Sequence, residues 1–139
     1  MLEVKNIDLR YGAARTLSNV SVTAEKAKIT CVLGRNGVGK TSLLRCIAGL
    51  DDAETAHLVV GGAVIDDRAN GRRRPTHRRG IAYVFQEPRL FPHLDVRRNL
   101  EYGARRHRAP ASSAFEAIVE RLALGPLLSR KPAGLSGGE

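Results

Sequence analysis

Apolar positions along the chain change period several times, and each change predicts a different element. Leu2, Val4, Ile7 and Leu9 alternate imperfectly, and Leu17, Val20 and Val22 follow, which predicts two opening strands. Ile29-Thr30-Cys31-Val32-Leu33 is a short continuous apolar run, the pattern of a strand buried on both faces. Leu43-Leu44-Arg45-Cys46-Ile47-Ala48 takes helical spacing. Leu58-Val59-Val60 and Ala63-Val64-Ile65, separated by Gly61-Gly62, predict a hairpin with a glycine turn. Residues 66 to 80 read as a basic loop, and Ile81-Ala82-Tyr83-Val84-Phe85 as a second apolar strand ending in Gln86. Asp95 is placed to cap a helix over Val96 to Arg105, helped by Pro92 upstream. Ser113 and Glu116 form an S-x-x-E capping box before an apolar stripe of Phe115, Ile118, Val119 and Leu122. That helix is predicted to end at Gly125-Pro126.

Between the apolar run at 29–33 and the helix at 43–48 stands Gly34-Arg35-Asn36-Gly37-Val38-Gly39-Lys40-Thr41-Ser42, a G-x-x-x-x-G-K-[ST] sequence in its required strand-then-helix setting. Glycines let the backbone curl so that successive N–H groups face a phosphate chain, and the new helix adds its positive end. Lys40 supplies a point charge for the β- and γ-phosphates, and the Thr41 hydroxyl is placed to ligate Mg²⁺. The loop predicts binding of a nucleoside triphosphate.

Two later segments narrow the class. Gln86 ends an apolar run, and the sequence closes on Leu135-Ser136-Gly137-Gly138-Glu139. A strand-ending glutamine and an LSGG[QE] sequence, in this order after a phosphate loop, resemble the nucleotide-binding domain of ABC ATPases. The resemblance runs from Met1 to Glu139 and implies an α/β fold of the P-loop NTPase, ABC type, with antiparallel strands on the N-terminal side. It also implies a division into a nucleotide-binding core and β subdomain over 1–93 and the start of a helical subdomain over 94–139.

The resemblance assigns roles residue by residue. Tyr11 would stack on adenine, which suits a flat π-face against a base. Residues Gly34 to Thr41 would wrap the phosphates of ATP, and Ser42 would touch the α-phosphate. Gln86 would reach Mg²⁺ and the attacking water. Ser136, Gly137 and Gly138 would serve the ATP of a second ATPase subunit in a head-to-tail dimer. Membrane permease subunits are the other implied partners, placing the protein on the cytoplasmic face of the inner membrane without direct contact with the transported substrate. Arg89-Leu90-Phe91-Pro92 offers an apolar patch for a permease helix, or closes the local core instead.

The sequence departs from the family in what it lacks. The acidic Mg²⁺ strand, the glutamate that polarises water and the switch histidine lie downstream of the signature in the family, so these residues read as the front half of such a domain. Asp51-Asp52 reads as a helix-end loop and Asp66-Asp67 as a hairpin exit. Residues 1–139 alone are therefore expected to bind ATP without turning it over, and a non-hydrolysing nucleotide-binding module stays open as an alternative. Ala27-Lys28 stands where a Gly-Glu turn usually precedes the phosphate-loop strand, and Ala56 where glycine usually opens the hairpin.

Composition changes the picture only slightly. A chain of 139 residues with 42% apolar content can form a core, and no apolar run approaches the ~18 residues of a membrane span. Cys31 is expected on a buried strand and Cys46 on the following helix, both as core residues. The net charge of +9 is mostly arginine in runs without interleaved aromatic residues, which reads as solvated loop charge rather than a nucleic-acid surface.

Resemblance also bears on the transported substrate. Tyr83 to His93, including the R-L-F-P-H piece, and Val96 to Gly103 resemble molybdate-import ATPases. Thr30 to Thr41 looks more like the urea and branched-chain amino-acid import ATPases. Because the segment after Gln86 lies near the permease in this family, molybdate is the expected substrate.

Overall fold

A computed structural model of the chain describes residues 1–87, 89–106 and 113–136, in two compact units, Met1–Val84 and Phe85–Glu139. The first unit is built on a five-stranded antiparallel sheet in the order β2-β1-β3-β4-β5. Its strands are β1 (Leu2–Tyr11), β2 (Ala14–Ala24), β3 (Thr55–Val60), β4 (Ala63–Asp67) and β5 (Arg72–Arg73). The imperfect alternation of the opening strand has a structural cause. Asn6 and Asn19 sit at φ +54° and +51°, and the β1–β2 register shifts between Val4 and Ile7 and again after Ile7 and Leu9. These bulges return Val4, Ile7 and Leu9 to one buried face. The β3–β4 hairpin forms as the sequence predicts: Val60 pairs with Ala63, and Gly61 and Gly62 both take positive φ, as a tight two-residue turn of this kind requires.

Helix α1 (Lys40–Ala48) lays Leu43, Cys46 and Ile47 against the sheet face formed by Val4, Ile7, Leu9, Leu17, Leu58 and Ile65. Its N-terminal end is set by Gly39, held at φ +99° where an added Cβ would meet Leu17 Cδ2 at 2.8 Å and the Thr16 carbonyl at 3.0 Å. Its C-terminal end closes on Gly49, whose N–H bonds the Cys46 carbonyl at 3.0 Å.

The segment 66–80 is more than the basic loop predicted from sequence. It holds the end of β4, a short 3₁₀ turn at Arg68–Asn70, β5, and a second turn at Thr76–Arg78. It ends on Arg79, which is buried with Asp66. The Arg79 guanidinium donates to Asp66 Oδ2 at 2.6 Å, to the Arg74 carbonyl at 3.0 Å, and to the last carbonyls of α1, Cys46 and Ile47, both at 3.1 Å. A buried cation here supplies donors to the Ile47 carbonyl and, beside the Gly49 N–H, to the Cys46 carbonyl at the negative end of a helix.

The two apolar runs at 29–33 and 81–85 do not form strands, contrary to the sequence reading. Ile29 is 95% exposed, Leu33 89% and Val84 92%, and Cys31, expected in the core, is exposed. A strand apolar on both faces needs neighbours along its edges and layers above and below. Among the described residues, none of the five strands pairs with either run.

The second unit contains α2 (Val96–Arg106) and α3 (Ser113–Arg121). Asp95 caps α2 as predicted, accepting the Arg98 N–H at 2.8 Å, while the Val96 and Arg97 N–H groups bond the Arg130 and Leu128 carbonyls at 3.0 Å. Helix α3 stops at Arg121, short of the predicted Gly125-Pro126. Ala123 takes φ +51°, and the Leu124 and Ala123 N–H groups return to the Val119 and Glu120 carbonyls at 2.9 and 3.0 Å, closing the helix early. Along the predicted stripe Val119 is buried and the Phe115 ring lies under the Arg97 guanidinium at 5.1 Å, whereas Ile118 and Leu122 are exposed. The capping role of Ser113 falls outside what is described of its side chain.

Candidate nucleotide-binding site

The loop 34–39 is built from the backbone outward. Gly37 and Gly39 take positive φ, which favours glycine at both, and a Cβ on Gly34 would crowd Val38 Cγ1 at 3.0 Å. Lys40 folds back over the loop, its Nζ donating to the Gly34 and Arg35 carbonyls at 2.8 Å each. The Leu43 N–H bonds the Gly39 carbonyl at 2.9 Å, so α1 propagates directly from the loop. Arg35, Asn36 and Val38 are exposed around the turn, and Thr41 is exposed in the first helical turn. That turn carries no acidic side chain, which suits a polyanion at the helix N-terminus.

Tyr11, at the hairpin end of β1, is half-exposed and tied to this helix. Its hydroxyl donates to Asp51 Oδ2, and the Ser42 side chain lies close enough to influence the phenol. Burial and the Asp51 carboxylate push the phenol above its ordinary pKa, with Ser42 acting in the opposite sense. Asp51 in turn receives Arg45 Nε at 2.9 Å and Nη2 at 2.8 Å. That fork, aided by the Tyr11 hydroxyl, holds the carboxyl below its usual range against the effect of burial. The structure thus brings Tyr11, Ser42 and the phosphate-loop helix together. Asp51 and Arg45 escaped the sequence reading because a six-residue spacing puts them on no common helical face, and only the turn at Gly49 brings them together.

The remaining predicted residues belong to the second unit. Gln86 is exposed near its start, followed by Arg89, whose guanidinium lies 4.5 Å from the Phe85 ring centroid. Phe91 packs on Tyr102 with ring centroids 4.3 Å apart and donates its N–H to Asn99 Oδ1 at 2.8 Å, while Leu90 keeps 43% of its surface exposed. Leu135 is half-buried and Ser136 exposed, and Gly137, Gly138 and Glu139 lie outside the described residues. Among the described residues no group of three or more His, Cys, Asp or Glu could hold a metal.

A sequence model described as ABC transporter matches residues 17–139. The chain belongs to this family. Molybdenum import ATP-binding proteins are among its relatives, that of Azotobacter vinelandii being 49% identical over 122 residues, or 87% of this chain and 34% of the relative. That of Thiobacillus denitrificans is 53% identical over 112 residues, covering 80% of this chain and 30% of the relative. The chain therefore spans about a third of the length of the curated relatives it matches. Among solved structures, an ATP-binding subunit of an ABC transporter superimposes over 99% of this chain and 56% of its own, with a TM-score of 0.78 and 28% identity. A dimeric ATP-binding cassette in a post-hydrolysis state with ADP and Pi covers 99% and 64%, at 0.73 and 25%. The fold is that of ABC-type ATPase domains, with the antiparallel strands on the N-terminal side as expected.

Proposed function

We propose that this chain is the nucleotide-binding part of the ATPase subunit of a bacterial ABC importer for molybdate. The observation that carries the reading is the loop 34–42, a glycine-built turn capped by Lys40 at the head of a nine-residue helix. Lys40 would exchange its two carbonyl partners for the β- and γ-phosphates of ATP, the backbone N–H groups would cradle them, and Ser42 would reach the α-phosphate. Mg²⁺ held by the Thr41 hydroxyl would neutralise charge on the phosphates. The relatives' names support molybdate as the transported anion, and the dimeric relative with ADP and Pi supports hydrolysis in a pair of subunits. Ser136, with the two glycines after it in sequence, would serve the nucleotide of the second subunit. Residues 94–139 would begin the helical subdomain, and the exposed Leu90 and Phe91 just before it suit a permease helix.

Titration calorimetry tests the site. Lys40→Ala removes a charge-assisted contact worth about 1.5–3 kcal/mol, so ATP affinity is expected to fall about tenfold or more. Equal affinity in the two proteins would overturn the assignment. Uptake by the full-length protein that contains these residues, in cells whose own molybdate-import ATPase has been deleted, tests the substrate: restored molybdate uptake is expected, and uptake of urea or branched-chain amino acids alone would replace it.

A further inference from the structure

Tyr11 poses a physical problem for the site just described. It is a half-exposed side chain at the end of a hairpin, and a ring free to sample its rotamers makes a poor platform for a base. The structure removes that freedom with groups that lie elsewhere in the chain. Tyr11 Oη donates to Asp51 Oδ2. The Asp51 side chain, only 9% exposed, is gripped through Arg45 Nε and Nη2 at 2.8–3.0 Å. Arg45 stands on α1, one turn past the phosphate loop, so ring and loop are tied to the same rigid helix.

We propose that Asp51 and Arg45 are positioning residues which hold the Tyr11 ring in place for a purine base, so that base recognition depends on a carboxylate beyond the end of α1. The inference rests on the reading of loop 34–42 as an ATP site with Tyr11 as its base platform. Bidentate geometry matters here: a guanidinium fork fixes both carboxylate oxygens, which orients the lone pair offered to the phenol. Loss of either partner leaves the ring present but unoriented.

Calorimetric titration with MgATP and, separately, with inorganic tripolyphosphate distinguishes positioning from mere support of the fold. Asp51→Asn and Tyr11→Phe are each expected to weaken MgATP by about two- to tenfold, the range of an aromatic stack, while leaving tripolyphosphate unchanged. Their double variant is expected to lose no more than the worse single one. An ultraviolet difference titration against Tyr11→Phe should show the Tyr11 phenol ionising at lower pH in Asp51→Asn. Equal losses for both ligands, or unaltered MgATP affinity in Asp51→Asn and Tyr11→Phe, would overturn the proposal. If Tyr11→Ala weakens MgATP while those two variants do not, positioning alone fails. If Tyr11→Ala also binds normally, the platform reading fails with it, and a silent Lys40→Ala removes the site itself.

Discussion

Three donors converge on Asp8. Thr55 Oγ1 donates at 2.7 Å, the Asn19 N–H at 3.1 Å, and the Arg15 guanidinium completes the set. Led by the Thr55 bond, they hold the carboxyl at about 2, against an ordinary value of 3.8. A carboxylate whose folded pKa is depressed stabilises fully above its unfolded pKa and loses that contribution as pH falls through the folded one. Asp8→Asn is therefore expected to lower the melting temperature near neutral pH, with the gap to the parent narrowing below about pH 3.8 and closing near pH 2. Thermal melts across that range check it, and a gap independent of pH would argue that the asparagine merely repacks. None of this was legible in the sequence, because the donors lie 7, 11 and 47 residues from Asp8. The phosphate loop, by contrast, is contiguous, and its glycines and Lys40 could be read directly.

At the level of elements, local pattern and tertiary placement divide the outcome. Helix α1, the glycine hairpin and the Asp95 cap are each specified within a few residues, and each forms as the sequence predicts. Arg79 is different: in sequence it is one of a run of basic residues, while in the fold its side chain is 1% exposed and clamps the end of α1 to β4. Gly49 makes room for it, since a Cβ there would stand 2.4 Å from Arg79 Nε. Removing one partner of a buried pair leaves the other uncompensated, so Arg79→Ala is expected to cost about 3–5 kcal/mol in denaturant-induced unfolding. Arg78→Ala, one residue away and exposed, is the control and is expected to stay within about 0.5 kcal/mol. Similar effects of the two would place Arg79 outside the fold's core. Helix α3 was mispredicted at its stop because Ala123 adopts a conformation usually taken by glycine or asparagine, so no residue type announced it.

For the molecule as a whole, the clearest departure from the sequence reading is the state of the apolar runs 29–33 and 81–85. Their composition is that of central strands, but composition says nothing about which neighbours are at hand, and the described sheet runs elsewhere. Cys31 reports on this directly. In the 139-residue chain a thiol reagent is expected to modify exposed Cys31 at once, and Cys46 only on unfolding, since burial pushes its thiol up to about 11. Mass spectrometry of the labelled chain reads both sites. Slow labelling of Cys31 would mean that residues 29–33 are covered in solution.

The ends of the sheet carry one more consequence. A sheet edge is a row of unpaired N–H and C=O groups that invites strands of other molecules to join it. At one side that row is only two residues long and consists of Arg72 and Arg73, both exposed. At the other, β2 is eleven residues long, but Asn19 and the register shifts opposite β1 bend it away from the flat geometry that templating needs. Like charge on a short edge and curvature on a long one both discourage fibre-like stacking. With Arg73 paired to Asp52 at 3.2 Å, the net like charge on the short edge rests on Arg72, and the shortness of the edge contributes as much as its charge to discouraging a second strand.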